Sequence, residues 1–561
     1  MSKVANSLIE IFTVPARLRA FFGGIPSRIR SARSRGRFEL LEQGVNLAGI
    51  LVAAVFFLGL FLAHLKVVAQ PGPQEYNEPA IWETTWLLDH GRNPYSLAEL
   101  PGSAYCFGPL YNYVVIALEP LLGIDYPAHR MVSLVFLILS LVVMARAMRR
   151  AGAGLGLALL SVVFYYWMSL GNIEITARPD TLGLFFFLLG ILIPWFRGYT
   201  IGSSVAGLLC ALVAFSGKPY FVVAGCATLL IHFLVRDRRE ACWLGVGFFA
   251  LVGLSFALCC YLYPYFYIES IIVQRNGSVV NDRDDISVMH TVMLFERGWP
   301  FFLMMICGVG AWLTRRRHAR RADGGSLAAA GEDTALLAMA TVFVIFLAVV
   351  YFYMGRNAGA YFTYHLHLLF PLMLLLSAYS LRTRRLRVIL GGVLIAFFLW
   401  WVRVPEVTDS TAAYRRMEEL VRGSNEEILG IACTTDMFER TGRPVLHNGN
   451  TMFIGFAFAN DAAVHDPKIG ALAAKFEALD TTTAAKITAR KFGMVFSEFD
   501  DPYFCSADLL RKNYDKIEQI EYYTYFGHSP VRVWVPKPRA AAVPAAAASG
   551  EGSKEQGAGK N

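Results

Sequence analysis

The sequence predicts an α-helical polytopic membrane protein with about eleven transmembrane helices, followed by a C-terminal extracytoplasmic α/β domain. Three observations predict this class. The 561 residues are 55% hydrophobic and only 17% charged, and the mean hydropathy is +0.44. The apolar residues are concentrated in separate runs of about 16 to 24 residues, the length that crosses a bilayer core of roughly 30 Å. Clusters of basic residues follow every second run, as the positive-inside rule predicts for cytoplasmic connections.

The same composition excludes other classes of protein. A soluble domain rarely has so much apolar surface, because no core of its own would be large enough to bury it. The formal net charge of +9 would suggest nucleic acid binding in a soluble protein. Here the basic residues lie in short clusters between apolar runs, so membrane topology explains them. We therefore expect the lipid bilayer as a partner and no nucleic acid.

Residues 1–44 form a basic segment with no cleavable signal peptide, since they contain no apolar core followed by a small-residue site. Seven arginines lie among apolar residues in this segment: Arg17, Arg19, Arg28, Arg30, Arg33, Arg35 and Arg37. This mixture is typical of an amphipathic helix on the anionic cytoplasmic face of a membrane.

Apolar runs within residues 45–404 predict eleven spans. The runs are 45–68, 127–146, 153–170, 181–196, 202–217, 219–234, 241–262, 299–314, 334–354, 364–380 and 388–402. Basic clusters at the N-terminus and at 146–150, 197, 235–239, 315–321 and 382–387 place the N-terminus in the cytoplasm and the C-terminus outside. The predicted long outer loops are 69–126 and 263–298. The interrupted apolar segment 108–124 could be a re-entrant or interfacial helix rather than a crossing.

From residue 405 to 539 the composition changes to that of a soluble α/β domain. Strand-like runs are Glu427–Thr434, Pro444–His447, Phe492–Ser497 and Val531–Val535, and helical patterns are Thr411–Val421, Lys468–Leu479 and Ser506–Ile517. Cys433 and Cys505 could form a disulfide in an oxidising compartment. Residues 540–561 are rich in Ala and then in Gly, Ser, Lys and Glu, which predicts a disordered tail.

Carboxylates just outside the first span are candidates for acid–base chemistry. The loop reads Gln74-Glu75-Tyr76-Asn77-Glu78-Pro79 and continues as an amphipathic stretch to Leu88. A carboxylate at the membrane interface is partly desolvated, which raises its basicity, and a lipid-borne donor and an alcohol acceptor would need a base at that depth. The alternative is that Glu78 only caps the amphipathic helix, since Pro79 would stand at its first position.

The order of motifs resembles the integral-membrane GT-C type glycosyltransferases that use polyprenyl-phosphate sugars, in their protein O-mannosyltransferase, aminoarabinose transferase and bacterial mannosyltransferase-like branches. The matching segments are Asn77-Glu78, Gly91-Arg92-Asn93-Pro94-Tyr95 and Tyr105-Cys106-Phe107-Gly108-Pro109-Leu110-Tyr111. The first residue of the acidic pair is often Asp in these families and is Asn77 here. The resemblance implies Glu78 as the catalytic base beside Asn77, Glu75 as its substitute, and Tyr111 in the substrate site.

Two further charged motifs stand at the ends of later spans. Ala177-Arg178-Pro179-Asp180 opens the fourth span, as Arg-Pro-Asp does in many of these proteins, and Gly217-Lys218-Pro219-Tyr220 forms a turn between two runs. The resemblance implies that Arg178, Asp180, Lys218 and Tyr220 bind substrate, with the lysine acting as a compact charge for a phosphate. The alternatives are a structural Arg178–Asp180 pair and a lysine that extends to the interface.

The segment after the ninth span is glycine-rich and carries Arg356, followed by Tyr364, His365 and His367. Arg356 suits bidentate phosphate binding, and we expect Arg356, Tyr364 and His365 to bind substrate. The two histidines are two residues apart, so on a helix they would face apart and make a poor metal pair. No metal or other cofactor is indicated. The turn Asp282–Asp285 is either solvated or part of a loop that closes over the donor. Its carboxylates leave a divalent metal possible.

These features predict a membrane glycosyltransferase. It would move a monosaccharide from a polyprenyl-phosphate donor to a hydroxyl on a glycan, glycolipid or protein, on the extracytoplasmic face of the bacterial inner membrane. The alternative is a lipid or solute transporter, but transporters usually place ionisable residues near mid-membrane on broken helices of repeated halves. A third alternative is a non-catalytic assembly subunit. This alternative would be favoured if Glu78 proved dispensable.

Overall fold

The computed structural model describes residues 37–172, 175–273, 284–321, 327–354, 362–380, 384–448, 451, 467–498, 506–525 and 527–538. These residues form a large helical bundle and a smaller C-terminal region that contains strands. The expected tail 540–561, the basic segment before residue 37 and Arg356 lie outside the described residues.

Thirteen helices precede the C-terminal region within the described part of the chain. They are α1 Arg37–Val68, α2 Glu78–Asp89, α3 Leu110–Leu122, α4 Tyr126–Ala151, α5 Leu155–Leu170, α6 Asp180–Phe196, α7 Ile201–Gly217, α8 Val223–Val235, α9 Arg238–Leu262, α10 Asp284–Arg321, α11 Leu327–Val349, α12 Phe370–Ser380 and α13 Arg384–Trp401. Short 3-10 or π turns lie at Pro219–Val222, Ile268–Val273, Val350–Met354 and His365–Leu369.

Each of the eleven predicted spans falls on a helix of this bundle. Five helical stretches of the described chain are long and apolar enough to cross a membrane: Phe38–Val68, Tyr126–Ala151, Arg238–Leu262, Ser287–Thr314 and Leu337–Met354. Shorter apolar helices fill the spaces between them. Large apolar side chains such as Leu51, Val55 and Trp243 are exposed on the bundle surface, which is typical of helices that face lipid. The fold is therefore that of a multi-pass helical membrane protein.

Local sequence signals set the ends of several helices. The Asp125 carboxylate accepts the backbone N–H of Ala128 at 2.7 Å, which caps the start of α4. Gly152 ends the same helix in the left-handed conformation, with φ of 110°. The chain then reverses into α5. There Gly156 lies against the backbone of Asn46 so closely that a Cβ would collide with its carbonyl oxygen, which lets α1 and α5 approach each other.

Two parts of the bundle differ from the sequence prediction. The expected outer loop 263–298 is helical from Asp284 onward, because α10 extends the eighth span by fifteen residues at its N-terminal side. Ser287, His290 and Leu294 form a buried stripe along this extension, so tertiary packing stabilises it. The segment 108–124 forms α3, a 13-residue helix, which is short for a crossing of about 20 residues.

The C-terminal region contains a four-stranded sheet. Its elements are α14 Thr411–Gly423, β1 Ile428–Leu429, α15 Thr435–Arg440, α16 Pro467–Thr488, β2 Met494–Ser497, α17 Ala507–Asn513, β3 Tyr514–Ile520, β4 Tyr523–Thr524, β5 Gly527–His528 and β6 Val531–Pro536. The strand order is β1-β2-β6-β3, with β1 and β2 parallel and the other pairs antiparallel. Buried residues on both faces of this sheet, such as Phe496, Val533 and Trp534, form its core.

Three predictions for this region were wrong. The expected strand Glu427–Thr434 is a strand only at Ile428–Leu429, and Ala432–Thr434 form a 3-10 turn. The expected helix Ser506–Ile517 ends at Asn513 and the chain continues as β3, because residues 514–520 pair with β6. The expected strand Pro444–His447 has no regular structure, since this segment runs beside the first loop of the bundle instead of joining the sheet. Asn448, directly after it, donates to Glu83 of α2 at 2.7 Å.

Candidate active site

Loop 69–77, between α1 and α2, holds Glu75 in a fixed orientation. Asn77 donates to Glu75 Oε1 from its side chain at 2.8 Å and to Oε2 from its backbone at 3.0 Å. Arg178 Nη1 donates to the same Oε1 at 3.2 Å. Burial raises the pKa of Glu75 above its ordinary value, and the positive charge of Arg178 partly offsets this rise. Glu75 is therefore a buried carboxyl of raised basicity.

Arg178, Asp180 and Lys218 continue from Glu75 as a chain of ion pairs. Arg178 Nε donates to Asp180 Oδ2 at 3.1 Å, and Lys218 Nζ donates to Asp180 Oδ1 at 2.7 Å. All four side chains are buried, so we call them the ion network. Both cations lie over the ring of Phe107, at 5.4 and 4.6 Å from its centroid. Lys218 is therefore held inside the protein and does not extend to the interface.

Glu78 has different surroundings although it lies only three residues after Glu75. Its two oxygens accept Arg130 Nε at 2.8 Å and Arg130 Nη2 at 2.6 Å. They also accept the backbone N–H groups of Gln74 and Ala177. Glu78 is the first residue of α2 and has no exposed surface. Its carboxylate is thus occupied in joining α2, α4 and the segment before α6.

A cavity of about 430 Å³ lies beside Glu75, between loop 69–77 and the C-terminal region. The described residues that line it are Pro73, Glu75, Tyr76, Pro79, Gly171, Asn172, Ala432, Cys433, Glu498, Tyr522, Thr524 and Ser529. Glu75 connects the ion network to this cavity, and Glu78 is not one of the lining residues. Tyr522 joins the two walls by donating to the carbonyl oxygen of Pro73 at 2.6 Å.

Aromatic side chains adjoin the Lys218 end of the ion network. The Tyr220 ring lies 5.6 Å from Lys218 Nζ and makes an edge contact with the Tyr364 ring at 4.9 Å. The Tyr220 hydroxyl is 3.0 Å from Nδ1 of His367. His365 faces away from Tyr220, and its Nε2 lies 3.0 Å from Thr291 Oγ1. Opposite directions are expected for histidines two residues apart.

Tyr111 lies apart from the cavity. Its hydroxyl donates to the carbonyl oxygen of His129 at 2.6 Å and is 2.9 Å from Ser133 Oγ. Ser133 in turn donates to the carbonyl oxygen of Arg178 at 3.1 Å. Tyr111 is therefore linked to the backbone of Arg178 through Ser133. That Tyr111 binds substrate stays a prediction.

Three charged residues of this region carried no role in the sequence analysis. Arg130 binds Glu78, and its presence inside the second predicted span was an available signal, because charges within spans are costly unless paired. Glu498 lines the cavity, and burial raises its pKa to about 7. Glu269 accepts the backbone N–H of Tyr105 at 2.6 Å, and burial raises its pKa well above the ordinary range.

The described residues contain no group of three His, Cys, Asp or Glu side chains arranged to hold a metal ion. Asp282 lies outside them, so the turn Asp282–Asp285 is only partly described. Cys433 is a buried free thiol whose sulfur lies 3.8 Å from Met417 Sδ. Cys505, its possible disulfide partner, also lies outside the described residues.

No protein-family model and no curated protein matches the chain. Among solved structures it is similar to ArnT from Cupriavidus metallidurans in the apo state, with 15% identity and a TM-score of 0.41 over 78% of this chain and 79% of that chain. The same protein bound to undecaprenyl phosphate gives 14% identity and a TM-score of 0.39, with the same coverage.

The chain is also similar to the Archaeoglobus fulgidus oligosaccharyltransferase tethered with an acceptor peptide that contains the NVT sequon. Here the identity is 11% and the TM-score is 0.46, over 85% of this chain and 72% of that chain. ArnT is an aminoarabinose transferase, a branch that the motif order also resembles. Identities and TM-scores of this size do not transfer a function from one chain to another.

Proposed function

We propose that this protein is a membrane glycosyltransferase that moves a monosaccharide from a polyprenyl-phosphate donor to a hydroxyl acceptor. One observation carries the proposal. Glu75, a buried carboxyl with a raised pKa, lies where a network with two cations meets a cavity at the end of an apolar helical bundle. In this proposal Glu75 is the base and the two cations receive the leaving phosphate, the two functions that transfer from a lipid-borne sugar requires.

Glu75 is the base in this proposal, in preference to Glu78. A general base needs a free oxygen within reach of the proton it removes. Glu75 lines the cavity, and its Oε2 accepts only the backbone N–H of Asn77 among the described residues, whereas each oxygen of Glu78 accepts two N–H groups. Asn77 then acts as a positioning residue that orients Glu75, and Glu78 holds the loop that carries both.

The reaction would be a single displacement. The acceptor oxygen forms a bond to the anomeric carbon as its proton passes to Glu75, and the bond between the anomeric carbon and the phosphate oxygen breaks. Lys218 and Arg178 stabilise the negative charge that develops on the leaving polyprenyl phosphate. Asp180 holds both cations in place through its two oxygens. Arg356 keeps its predicted role in binding the same phosphate.

The cavity walls favour a neutral acceptor. Among the described residues that line it, two carry carboxyl groups, Glu75 and Glu498, and none is Lys or Arg. In this proposal Arg178 and Lys218 are taken up by the leaving phosphate of the donor, so a second phosphate on the acceptor would lie against these carboxyls without a cation of its own, which is unfavourable in a partly buried site. Tyr76 and Tyr522 add aromatic surface beside the carboxyls, a combination suited to sugar hydroxyls and ring faces. We therefore propose a hydroxyl of a glycan or glycolipid as the acceptor.

The test uses purified full-length protein, a panel of radiolabelled polyprenyl-phosphate sugars and a membrane extract as the acceptor source. Glu75→Gln is expected to lower transfer by about 10² to 10⁴, the usual contribution of a general base, without loss of folded protein. Equal transfer by wild type and Glu75→Gln would remove Glu75 as the base. Failure of every donor, together with substrate-dependent flux in liposomes, would favour a transporter instead.

A further inference from the structure

A second cavity, of about 400 Å³, lies at the end of the bundle opposite Glu75. The described residues that line it are Glu39, Glu42, Gln43, Val45, Asn46, Arg149, Gly154, Leu155, Leu157, Arg384 and Arg387. They come from the starts of α1, α5 and α13 and from the end of α4. From Asn46 to Val68 helix α1 rises about 33 Å, so this cavity and the Glu75 cavity lie on opposite sides of a bilayer core.

Two arginines of this cavity have N–H groups without a hydrogen-bond acceptor among the described residues. Arg149 makes one hydrogen bond, from Nη1 to the carbonyl oxygen of Ala153 at 2.8 Å, and has no carboxylate partner among the described residues. The Nε of Arg387 is buried and has no hydrogen-bond partner within the same part of the chain. Glu42 makes two ion-pair contacts with described residues, to Arg387 Nη1 at 3.2 Å and to Arg384 Nε at 3.7 Å. Arg149 is exposed, so its remaining N–H donors are open to a ligand, and the buried Nε of Arg387 lacks an acceptor among the described residues that a ligand in the cavity would supply.

The lining residues indicate what kind of ligand would supply the hydrogen-bond acceptors. Val45, Leu155 and Leu157 place apolar side chains next to the arginines, so the ligand has an apolar part as well as an anionic part. Among the described lining residues, three arginines and two glutamates leave one net positive charge, which matches the single negative charge of a phosphodiester. The positive-inside rule accounts for arginines on this side, but it does not account for a buried Arg387 Nε that has no acceptor among the described residues.

We propose that this cavity binds the headgroup of an anionic phospholipid with one phosphodiester charge and no ammonium group, as in phosphatidylglycerol. Arg149 and Arg387 donate to the phosphate oxygens, a geometry for which guanidinium groups are well suited. The acyl chains follow the apolar side of the cavity between the helix ends. The site does not depend on the proposed transfer reaction.

The test measures lipid retention on the purified full-length protein. Protein is reconstituted in phosphatidylcholine nanodiscs with and without phosphatidylglycerol, and the lipids retained after transfer to detergent are counted by native mass spectrometry. Wild type is expected to retain phosphatidylglycerol in preference to phosphatidylcholine. Arg149→Gln and Arg387→Gln, made separately so that one folding defect does not decide the result, are each expected to weaken this retention at least about fivefold.

Arg150→Gln is the matched control. Arg150 follows Arg149 directly, but its guanidinium lies over the rings of Trp195 and Phe196 and it does not line the cavity. Retention that falls equally in all three variants would show a general surface charge effect and overturn the site. Wild type that retains inorganic phosphate but shows no preference for phosphatidylglycerol over phosphatidylcholine would also overturn it, because a free phosphate and not a lipid would then be the ligand.

Discussion

Glu75 and Glu78 are neighbours in sequence, but their carboxylates have different partners. Glu75 has a side-chain amide, one guanidinium N–H and an open cavity around it. Glu78 has a bidentate guanidinium and two backbone N–H groups. A substitution that removes the charge should therefore affect chemistry at Glu75 and folding stability at Glu78.

Glu78→Gln is expected to lower the stability of the folded protein by about 3 to 5 kcal/mol, because it leaves the charge of Arg130 buried without a counter-ion. The measurement is the thermal unfolding midpoint of purified protein in detergent, compared with wild type and with Glu75→Gln. The expected pattern is a larger loss for Glu78→Gln than for Glu75→Gln, because Arg178 keeps Asp180 as a partner when the charge of Glu75 is removed. The opposite pattern would contradict the roles assigned to the two carboxylates.

Arg178 sets the pH range in which Glu75 can act as a base. Burial raises the pKa of Glu75, and Arg178 lowers it again in part. Since the base works only when deprotonated, transfer should rise with pH through the pKa of Glu75. Arg178→Gln removes the lowering charge, so the rising limb of the pH–rate profile should move to higher pH.

Arg178→Lys is the control for this shift, because it keeps the charge and should leave the limb near its wild-type position. The position of the limb is the informative quantity, since both variants also change the contact with the donor phosphate and lower the rate. A limb that stays in place in Arg178→Gln would mean that Glu75 is not the group that titrates.

Single residues of the site were predictable from the sequence, but their grouping was not. Glu75, Arg178, Asp180 and Lys218 come from three separate motifs, and the ion network that joins them depends on how α2, α6 and α7 pack. The sequence named Glu78 as the base because it could not show that Arg130, 52 residues away, binds it. Arg356 lies outside the described residues, and its role stays a prediction.

At the scale of secondary-structure elements, the apolar runs predicted the helices reliably, because the length and hydropathy of a span are local properties of the chain. The strands were harder to predict. Residues 514–520 are a strand because of their hydrogen bonds to β6, and their polar residues Asp515, Lys516 and Glu518 hid this from a local pattern. Close helix contacts were also invisible, since the partner of a glycine lies elsewhere in the sequence.

Gly156 provides a prediction at this scale. A Cβ at this position would collide with the carbonyl oxygen of Asn46 and lie 3.1 Å from the backbone nitrogen of Ile50. Gly156→Ala should therefore force α5 away from α1 and destabilise the protein by about 1 to 3 kcal/mol. Gly253→Ala on α9 is the control, because a Cβ there meets no atom within 4 Å. Comparable unfolding midpoints for the two variants would show that the close approach is not needed for stability.

At the scale of the whole molecule, the C-terminal region is joined to the first loop of the bundle by polar contacts at several points. Ser410 donates to Gln70 Oε1 at 3.0 Å, and Tyr522 donates to the carbonyl oxygen of Pro73. Asn448 donates to Glu83 Oε2 at 2.7 Å. Because Pro73 and Tyr522 line the Glu75 cavity, the shape of the cavity depends on how the C-terminal region is docked.

Glu83 makes this docking sensitive to pH. Its oxygens accept Ser103 and Asn448, and burial raises its pKa to about 8 from an ordinary value of 4.5. The folded protein therefore keeps a proton that the unfolded chain has released, so stability should fall as pH rises from about 4.5 to about 8. Glu83→Gln cannot ionise, so it should flatten the dependence of stability on pH in this range. The substitution also removes one of the two oxygens that accept hydrogen bonds.

The measurement is the unfolding midpoint of full-length protein across this pH range, together with hydrogen exchange of the peptide that contains Asn448. Exchange is expressed as protection relative to the intrinsic rate at each pH, since amide exchange itself speeds up with pH. Wild type should show lower protection there at high pH than at low pH, and Glu83→Gln should show little difference. Glu119→Gln is the control, since Glu119 is an exposed carboxylate on α3. A Glu83→Gln profile as steep as that of wild type would place the pH sensitivity elsewhere, and the C-terminal region would then close the Glu75 cavity equally well across this range.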